Sequence, residues 1–311
     1  MANLAYLQIT RECNQHCRFC SNPPTQKSRP LSFFKKMIDY YAKQQYEGII
    51  FSGGEPTLYP HLSSLISHAS DKKLSSRIIT NGQKTAEPNY LDELIKKGLK
   101  HICLSVYSND PAVQSFLTDN ISSLQNIKKT LSYLKKAGIT VDIATVINKY
   151  NAGHLSHIVR WLTDNYPFIN HFVWNNLDPL MNRASSHPDT IPRLIDFELE
   201  LRHAMELLHQ RGKTFRAERI PLCYMPSFAH CSTETRKIVK KEERIVYFLD
   251  SKGLVRQKKW VYGKAECCHS CTLCEICAGL YQMDKFFSSK ELYPLFIDKE
   301  EVKKKIAFNN E

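Results

Sequence analysis

The chain has 311 residues, 42% of them hydrophobic, enough for one large α/β domain with a sizeable core plus a smaller unit. No run of about 18 apolar residues occurs, so no membrane-spanning helix is expected. The formal net charge is +12. It reads as a solvated Lys-rich surface, with an anionic partner (nucleic acid, a phosphorylated substrate or an acidic peptide) as the other reading; nucleic acid is the less favoured because no aromatic-plus-basic RNA motif stands out.

The first predicted strand, residues 6–10, lies in the segment MANLAYLQIT, which lacks the basic region and long apolar core of a signal peptide. A cytoplasmic protein with reduced thiols is therefore expected, and its eleven cysteines point to metal binding rather than disulfides. Directly after this strand, Cys13, Cys17 and Cys20 stand at C-x3-C-x2-C with Phe19 before the last. Three thiolates on one loop can hold three irons of a [4Fe–4S] cluster and leave the fourth iron open. A zinc site completed by His16 or a distant ligand is the alternative.

A helical pattern near 32–46 leads to a strand at 48–52 that runs into Ser52-Gly53-Gly54-Glu55-Pro56. The two glycines permit close backbone approach of a ligand, and Glu55 offers a carboxylate. Helical patterns near 60–72, 89–98, 121–137, 152–165 and 193–211 then alternate with strands at 77–80, 101–106, 140–147 and 171–174. Asn120-Ile121-Ser122 and Gly138 read as start and stop of the helix between them. This alternation predicts a parallel sheet with covering helices, six β/α units in an open or partial barrel, and ligands at the carboxyl ends of the strands. The rhythm changes after about residue 212. We expect a core domain over 1–212 and a Cys-rich unit over 213–311, with 244–249 pairing with 254–256 as a hairpin. Arg236, Lys237, Lys240, Lys241 and Arg244, and Lys303–Lys305 near the end, read as exposed charged faces.

The spaced cysteines, the aromatic before the third, and Gly-Gly-Glu-Pro after the second strand resemble the radical S-adenosylmethionine (SAM) enzymes over roughly residues 1–180. The resemblance implies a partial (β/α)6 TIM-like barrel in which Cys13, Cys17 and Cys20 hold a [4Fe–4S] cluster whose open iron binds the amino and carboxylate groups of SAM. It further implies that the stretch Gly53, Gly54, Glu55 and Pro56 contacts the methionine amino group, with Gly54 and Glu55 the candidates. Thr80-Asn81-Gly82 ends the third strand as is common there. Ser105 stands where a ribose contact is usual, and Val146 on the fifth strand is placed by the adenine. Cys103 reads as a buried core thiol. The implied chemistry needs an electron donor such as flavodoxin or ferredoxin, and no protein acid–base pair is required of the chain.

Near the C-terminus, Cys268, Cys271, Cys274 and Cys277 repeat every three residues, which fits either a ferredoxin-like run or a closed zinc site. Cys268-x2-Cys271-x5-Cys277 followed by Ala278-Gly279 is similar to the signature of SPASM and twitch extensions, which hold auxiliary [4Fe–4S] clusters. Tyr281 stands where that signature has a further cysteine. One auxiliary cluster is therefore expected, on Cys268, Cys271 and Cys277, with Cys223 preferred as fourth ligand over Cys231 and Cys274. Cys267 is given no ligand role.

The loop Cys20-Ser21-Asn22-Pro23-Pro24 resembles peptide-modifying members of the family. A peptide or protein substrate is expected; the alternatives are a small metabolite, a cofactor precursor or tRNA. Because the cysteine loop begins at residue 13, leader recognition is expected of a partner or of the C-terminal unit. A non-catalytic zinc- or iron–sulfur-binding protein that docks nucleic acid is the reading from another class.

Overall fold

The computed structural model describes residues 3–22 and 25–308; Pro23 and Pro24 of the loop after Cys20 lie outside the described residues. The chain runs β1 (Leu4–Thr10), α1 (Leu31–Lys43), β2 (Gly48–Gly53), α2 (Leu62–Asp71), β3 (Ser75–Thr80), α3 (Pro88–Lys96), β4 (Leu99–Ser105), α4 (Pro111–Thr118), α5 (Ser123–Ala137) and β5 (Thr140–Ile147). It continues through α6 (Leu155–Asn165), β6 (His171–Asn176), α7 (Asn182–Ser186), α8 (Leu194–Gln210), β7 (Thr214–Glu218), α9 (Thr233–Lys240), β8 (Arg244–Phe248), β9 (Gly253–Gln257) and α10 (Lys299–Phe308). All six expected strands and six expected helices form. β7 and the helices α4, α7, α9 and α10 are additional.

One nine-stranded sheet carries the fold, in the order β7-β6-β5-β4-β3-β2-β1-β8-β9. Every neighbouring pair is parallel except β8 and β9, the expected hairpin. The sheet is not closed. Strands from both sides of residue 213 share it: β7 pairs with β6, and β8 pairs with β1 through Ala5, Tyr6 and Leu7.

Alternation along each strand sorts side chains onto two faces. Leu7, Phe51, Ile78, Leu104, Ile143 and Phe172 point to the helices and are buried in one continuous core. The opposite face carries Tyr6, Arg77, His101, Cys103, Asp142 and His171, all lining an interior cavity of about 960 Å³. Local signals fix the helix ends. Asp110 Oδ1 accepts from Ala112 N at 2.7 Å to start α4, and Gly138 in the left-handed conformation (φ 66°) ends α5.

The expected exposed basic face at 236–244 is corrected. Arg236 is fully buried, and Arg244 forms a two-bond fork with Glu218 at 2.9 and 2.8 Å. α9 packs against β7, so Arg236 and Arg244 turn inward while Lys241 stays exposed. Glu218 is on the edge strand β7 and Arg244 on β8, next to the opposite edge strand β9, so the ion pair joins strands that the backbone ladder places far apart.

Candidate active site

The three cysteines of the first loop line one cavity of about 450 Å³ at the carboxyl ends of the strands, together with Gly53, Gly54 and Glu55. The loop is tied down from several sides. His16 N and Arg18 N donate to Thr118 O and Leu117 O at the end of α4, both at 3.0 Å. Arg183 Nε donates to Cys17 O at 2.9 Å, and Ala184 N to Cys20 O at 3.1 Å, so α7 braces the loop from the far side. Phe19 is buried with its ring edge-on to Tyr107, centroids 4.6 Å apart.

The glycine turn is pressed onto the same loop by its backbone. Gly54 N donates to Thr10 O at 2.8 Å, and Glu55 N to Glu12 O at 2.7 Å. Gly53 has φ 146°, and a Cβ there would lie 2.1 Å from Thr10 O; a Cβ on Gly54 would lie 2.3 Å from Glu12 O. Only glycine allows this approach.

Glu55 is buried, and its carboxylate accepts from Thr57 N (3.1 Å), Thr57 Oγ1 (2.6 Å), Thr80 Oγ1 (2.7 Å) and Asn81 N (2.7 Å). Its side chain thus joins the end of β2 to the end of β3. Burial nonetheless holds its carboxyl above the usual range, against those four donors. Pro56 is buried at the start of a short 3-10 turn and is not among the residues lining the cavity.

Ser105 and Val146 both line the cavity, from β4 and β5. Val146 packs beside Tyr107 against a small apolar cluster of Phe19, Leu117, Leu177 and Ala184. Sequence reasoning missed Arg11, Tyr107, Asn182 and Arg183 as lining residues. Arg11 precedes the first cysteine by two positions, and Tyr107 follows Ser105 by two, so proximity to the motifs was the available signal. The last two come from α7, which left no periodic trace.

The thiols affect one another. Cys17 is pushed well above the ordinary thiol range, by burial first and then by Cys20 and Cys13; Cys13 is raised by burial, with Arg183 opposing. Three thiolates packed this way repel unless a cation compensates, which is what a metal centre supplies. Among the described residues no three Cys, His, Asp or Glu side chains converge on a point that one metal ion could take. The donor set surrounds a volume instead, and it fits a multi-iron cluster with a ligand of SAM size beside it.

A second group of thiols gathers in the C-terminal region. Cys268, Cys271 and Cys277 lie on successive tight turns, with Cys271 N donating to Cys268 O at 3.2 Å and Cys277 N to Leu273 O at 2.9 Å. Cys277 Sγ accepts from Gly279 N at 3.3 Å, and Cys271 Sγ from Leu295 N at 3.4 Å. Cys223, buried on the turn Leu222–Tyr224, is pushed up to about 12, by burial first and also by the nearby thiols of Cys277 and Cys268. Cys267 Sγ instead points to Leu292 O, at 3.5 Å. Tyr281 reaches Asp178 Oδ1 at 3.2 Å and lies under the Arg219 guanidinium, 5.7 Å from the ring centre, so it ties this region to the loop after β6.

Comparison with known proteins agrees with this arrangement. The PqqA peptide cyclase of Xanthomonas oryzae pv. oryzae is 28% identical over 192 residues, 58% of this chain and 50% of that protein, so the match spans about half the length of that relative. Streptococcus suis SuiB bound to precursor peptide SuiA superposes with a TM-score of 0.68 at 17% identity, over 90% of this chain and 71% of that one. anSMEcpe with bound AdoMet superposes with a TM-score of 0.66 at 15% identity, over 97% and 95%. Both likenesses are of fold, and with them the open sheet is a radical SAM partial barrel. The Radical SAM superfamily model matches residues 7–162, half the chain, from β1 through α6 and across both motifs. The chain belongs to the radical SAM superfamily.

Proposed function

We propose that the protein reductively cleaves SAM and abstracts a hydrogen atom from a peptide substrate. The observation that carries this reading is the meeting of Cys13, Cys17 and Cys20 with the Gly53-Gly54 backbone in one cavity of about 450 Å³. Cys13, Cys17 and Cys20 would hold a [4Fe–4S] cluster that, given an electron by an external donor such as flavodoxin or ferredoxin, would supply the reductive cleavage of SAM to methionine and a hydrogen-abstracting 5′-deoxyadenosyl radical.

The chain's part is to hold and to shield. Three thiolates hold the cluster. Gly53 and Gly54 let the methionine end of SAM lie against backbone, while the Glu55 carboxylate keeps the two strand ends in register rather than reaching the ligand itself. Ser105 serves the ribose, and Val146 with Tyr107 forms an apolar wall for the adenine. Excluding water on this side protects the radical.

The peptide class is supported by the relatives: the curated one is a peptide cyclase, and SuiB is bound to a precursor peptide. Residues 1–212 form the proposed core and 213–311 the extension. Cys268, Cys271, Cys277 and Cys223 are the proposed ligands of one auxiliary [4Fe–4S] cluster, supported by the electrostatic reach of Cys223 to Cys268 and Cys277. Among the described residues no helix is long and apolar enough to cross a membrane, in keeping with a proposed cytoplasmic setting where thiols stay reduced.

The test is 5′-deoxyadenosine release from SAM by the reduced, anaerobically reconstituted protein, against the triple variant Cys13→Ala, Cys17→Ala, Cys20→Ala. Release by the wild type alone is expected. No release from a protein that carries stoichiometric zinc in place of iron would overturn the reading.

A further inference from the structure

The interior face of the sheet is unusually rich in charge for a barrel lumen. Four carboxylates line the cavity of about 960 Å³, and each faces a partner. Glu218 pairs with Arg244, Glu242 with Lys237, and Glu243 with Arg256. Asp142 Oδ2 lies 2.6 Å from His101 Nε2, close but off the hydrogen-bond axis. Arg77, on β3 between the two layers, is different. No hydrogen bond or ion pair joins it to any described residue, and its Nε is buried without a partner.

The nearest anion of the same wall, Asp142, acts on Cys103 as Arg77 does, yet it lies against His101 and makes no hydrogen bond or ion pair to Arg77. Tyr6 and Cys103 are raised above their ordinary ranges, chiefly by burial, so both stay neutral at pH 7. His171 is lowered to about 4, again chiefly by burial, with Asp142 opposing and Arg216, His101 and Arg77 adding to the drop. Arg77 is half-buried, its Nε is enclosed without a partner, and the rest of its guanidinium lines the cavity unbonded, where it is open to an anion.

Its position matters. Ile79, two residues along the same strand face, lines both this cavity and the one that holds the three cysteines. At about 3.3 Å of rise per residue, Arg77 lies roughly 7 Å below the wall shared by the two spaces. A group held on Arg77 therefore lies within a side chain's reach of that wall.

We propose that Arg77 is the anchor for a carboxylate of the substrate, the side chain of an Asp or Glu in the modified peptide, drawn into the barrel lumen. This rests on the peptide reading above. The guanidinium fork matches a carboxylate in two parallel hydrogen bonds, which fixes the orientation of the side chain as well as its depth.

The test is equilibrium binding to the anaerobically reconstituted holoprotein, which needs no SAM cleavage. The probes are acetyl-Ala-Glu-Ala-amide and its neutral isostere acetyl-Ala-Gln-Ala-amide. The wild type is expected to prefer the Glu peptide by roughly tenfold or more. Arg77→Met is expected to abolish the preference, and Arg77→Lys, which keeps the charge without the fork, to retain part of it. The Lys variant decides the matter if the Met variant does not fold. Equal binding of both peptides by the wild type, binding of neither, or an unchanged preference in Arg77→Met overturns the proposal. Inorganic phosphate that binds through Arg77 more tightly than the Glu peptide would also overturn it, in favour of a phosphorylated small molecule. A preserved Glu preference in a protein that releases no 5′-deoxyadenosine would sink the radical reading and leave the anion site standing.

Discussion

Glu55 illustrates how a motif residue can serve by what it holds in place. Its two carboxylate oxygens accept four hydrogen bonds, three of them from buried groups on Thr57 and Thr80 and one from Asn81 N. Glu55→Gln puts an NH2 against at least one of those donors, and each buried group left unsatisfied costs about 1–3 kcal/mol. We expect the variant to unfold at lower denaturant and to bind SAM more weakly, because the end of β3 is released from the glycine turn. Unchanged unfolding together with weakened SAM binding would instead place the carboxylate on the ligand. Gly53→Ala acts through the backbone: its φ of 146° and the 2.1 Å approach to Thr10 O leave no room for a methyl group. A loss of roughly 1–3 kcal/mol is expected from strain alone, read by the same denaturation curve.

At the level of elements, the second thiol group depends on turns far apart in sequence. The turn Leu222–Tyr224 brings Cys223 beside the segment 268–277, and Tyr293 Oη clamps it by donating to Cys223 O. Cys223→Ser is expected to lower iron per chain toward that of a single cluster while the first-loop cluster remains, as measured by iron analysis beside the electron paramagnetic resonance spectrum of the reduced protein. Iron content equal to wild type would pass the ligand role to Cys231 or Cys274. Gly279, at φ 91° with its would-be Cβ 2.2 Å from Gly263 O, lets the chain turn directly after Cys277. Gly279→Ala is expected to reduce iron content in the same way, with no change in the thiol count.

The whole molecule is an open sheet whose edge strand β7 is joined by side chains to β8, beside the opposite edge. Glu218 on β7 is held ionised by Arg244 on β8 although burial opposes it. Glu218→Gln leaves the Arg244 charge inside without its partner, and a loss of roughly 3–5 kcal/mol is expected, measured by denaturant unfolding. Beside this pair, Glu234 accepts from Arg219 N at 2.8 Å and is raised to about 7, by burial first and then by Glu218. Its folded pKa lies above the ordinary 4.5, so the folded state binds the proton more tightly than the unfolded one. That contribution to stability is complete below the unfolded value and is lost as pH rises through about 7. Glu234→Gln keeps the acceptor for Arg219 N and removes the titration. The fall in melting temperature of wild type between pH 5 and pH 8 is therefore expected to shrink in the variant; an equal fall in both would assign the pH dependence elsewhere.

Local features were legible in the order of the residues. Hydrophobic periods of about two and 3.6 placed all six core strands and six helices. Cysteine spacing put Cys13, Cys17 and Cys20 on one loop, and the glycine pair announced a close backbone approach that the left-handed Gly53 explains. Which surfaces those elements meet was set by long-range packing. Alternation on β3 and β5 told which residues share a face, yet not that the face with Arg77 and Asp142 encloses a cavity. The charges of 236–244 looked solvated because composition carries no record of a packing partner; the approach of α9 to β7 buries Arg236. β8 joined β1, more than two hundred residues away in sequence, and α7 braced the cysteine loop, because contacts between distant segments are selected by packing and leave no period in the chain.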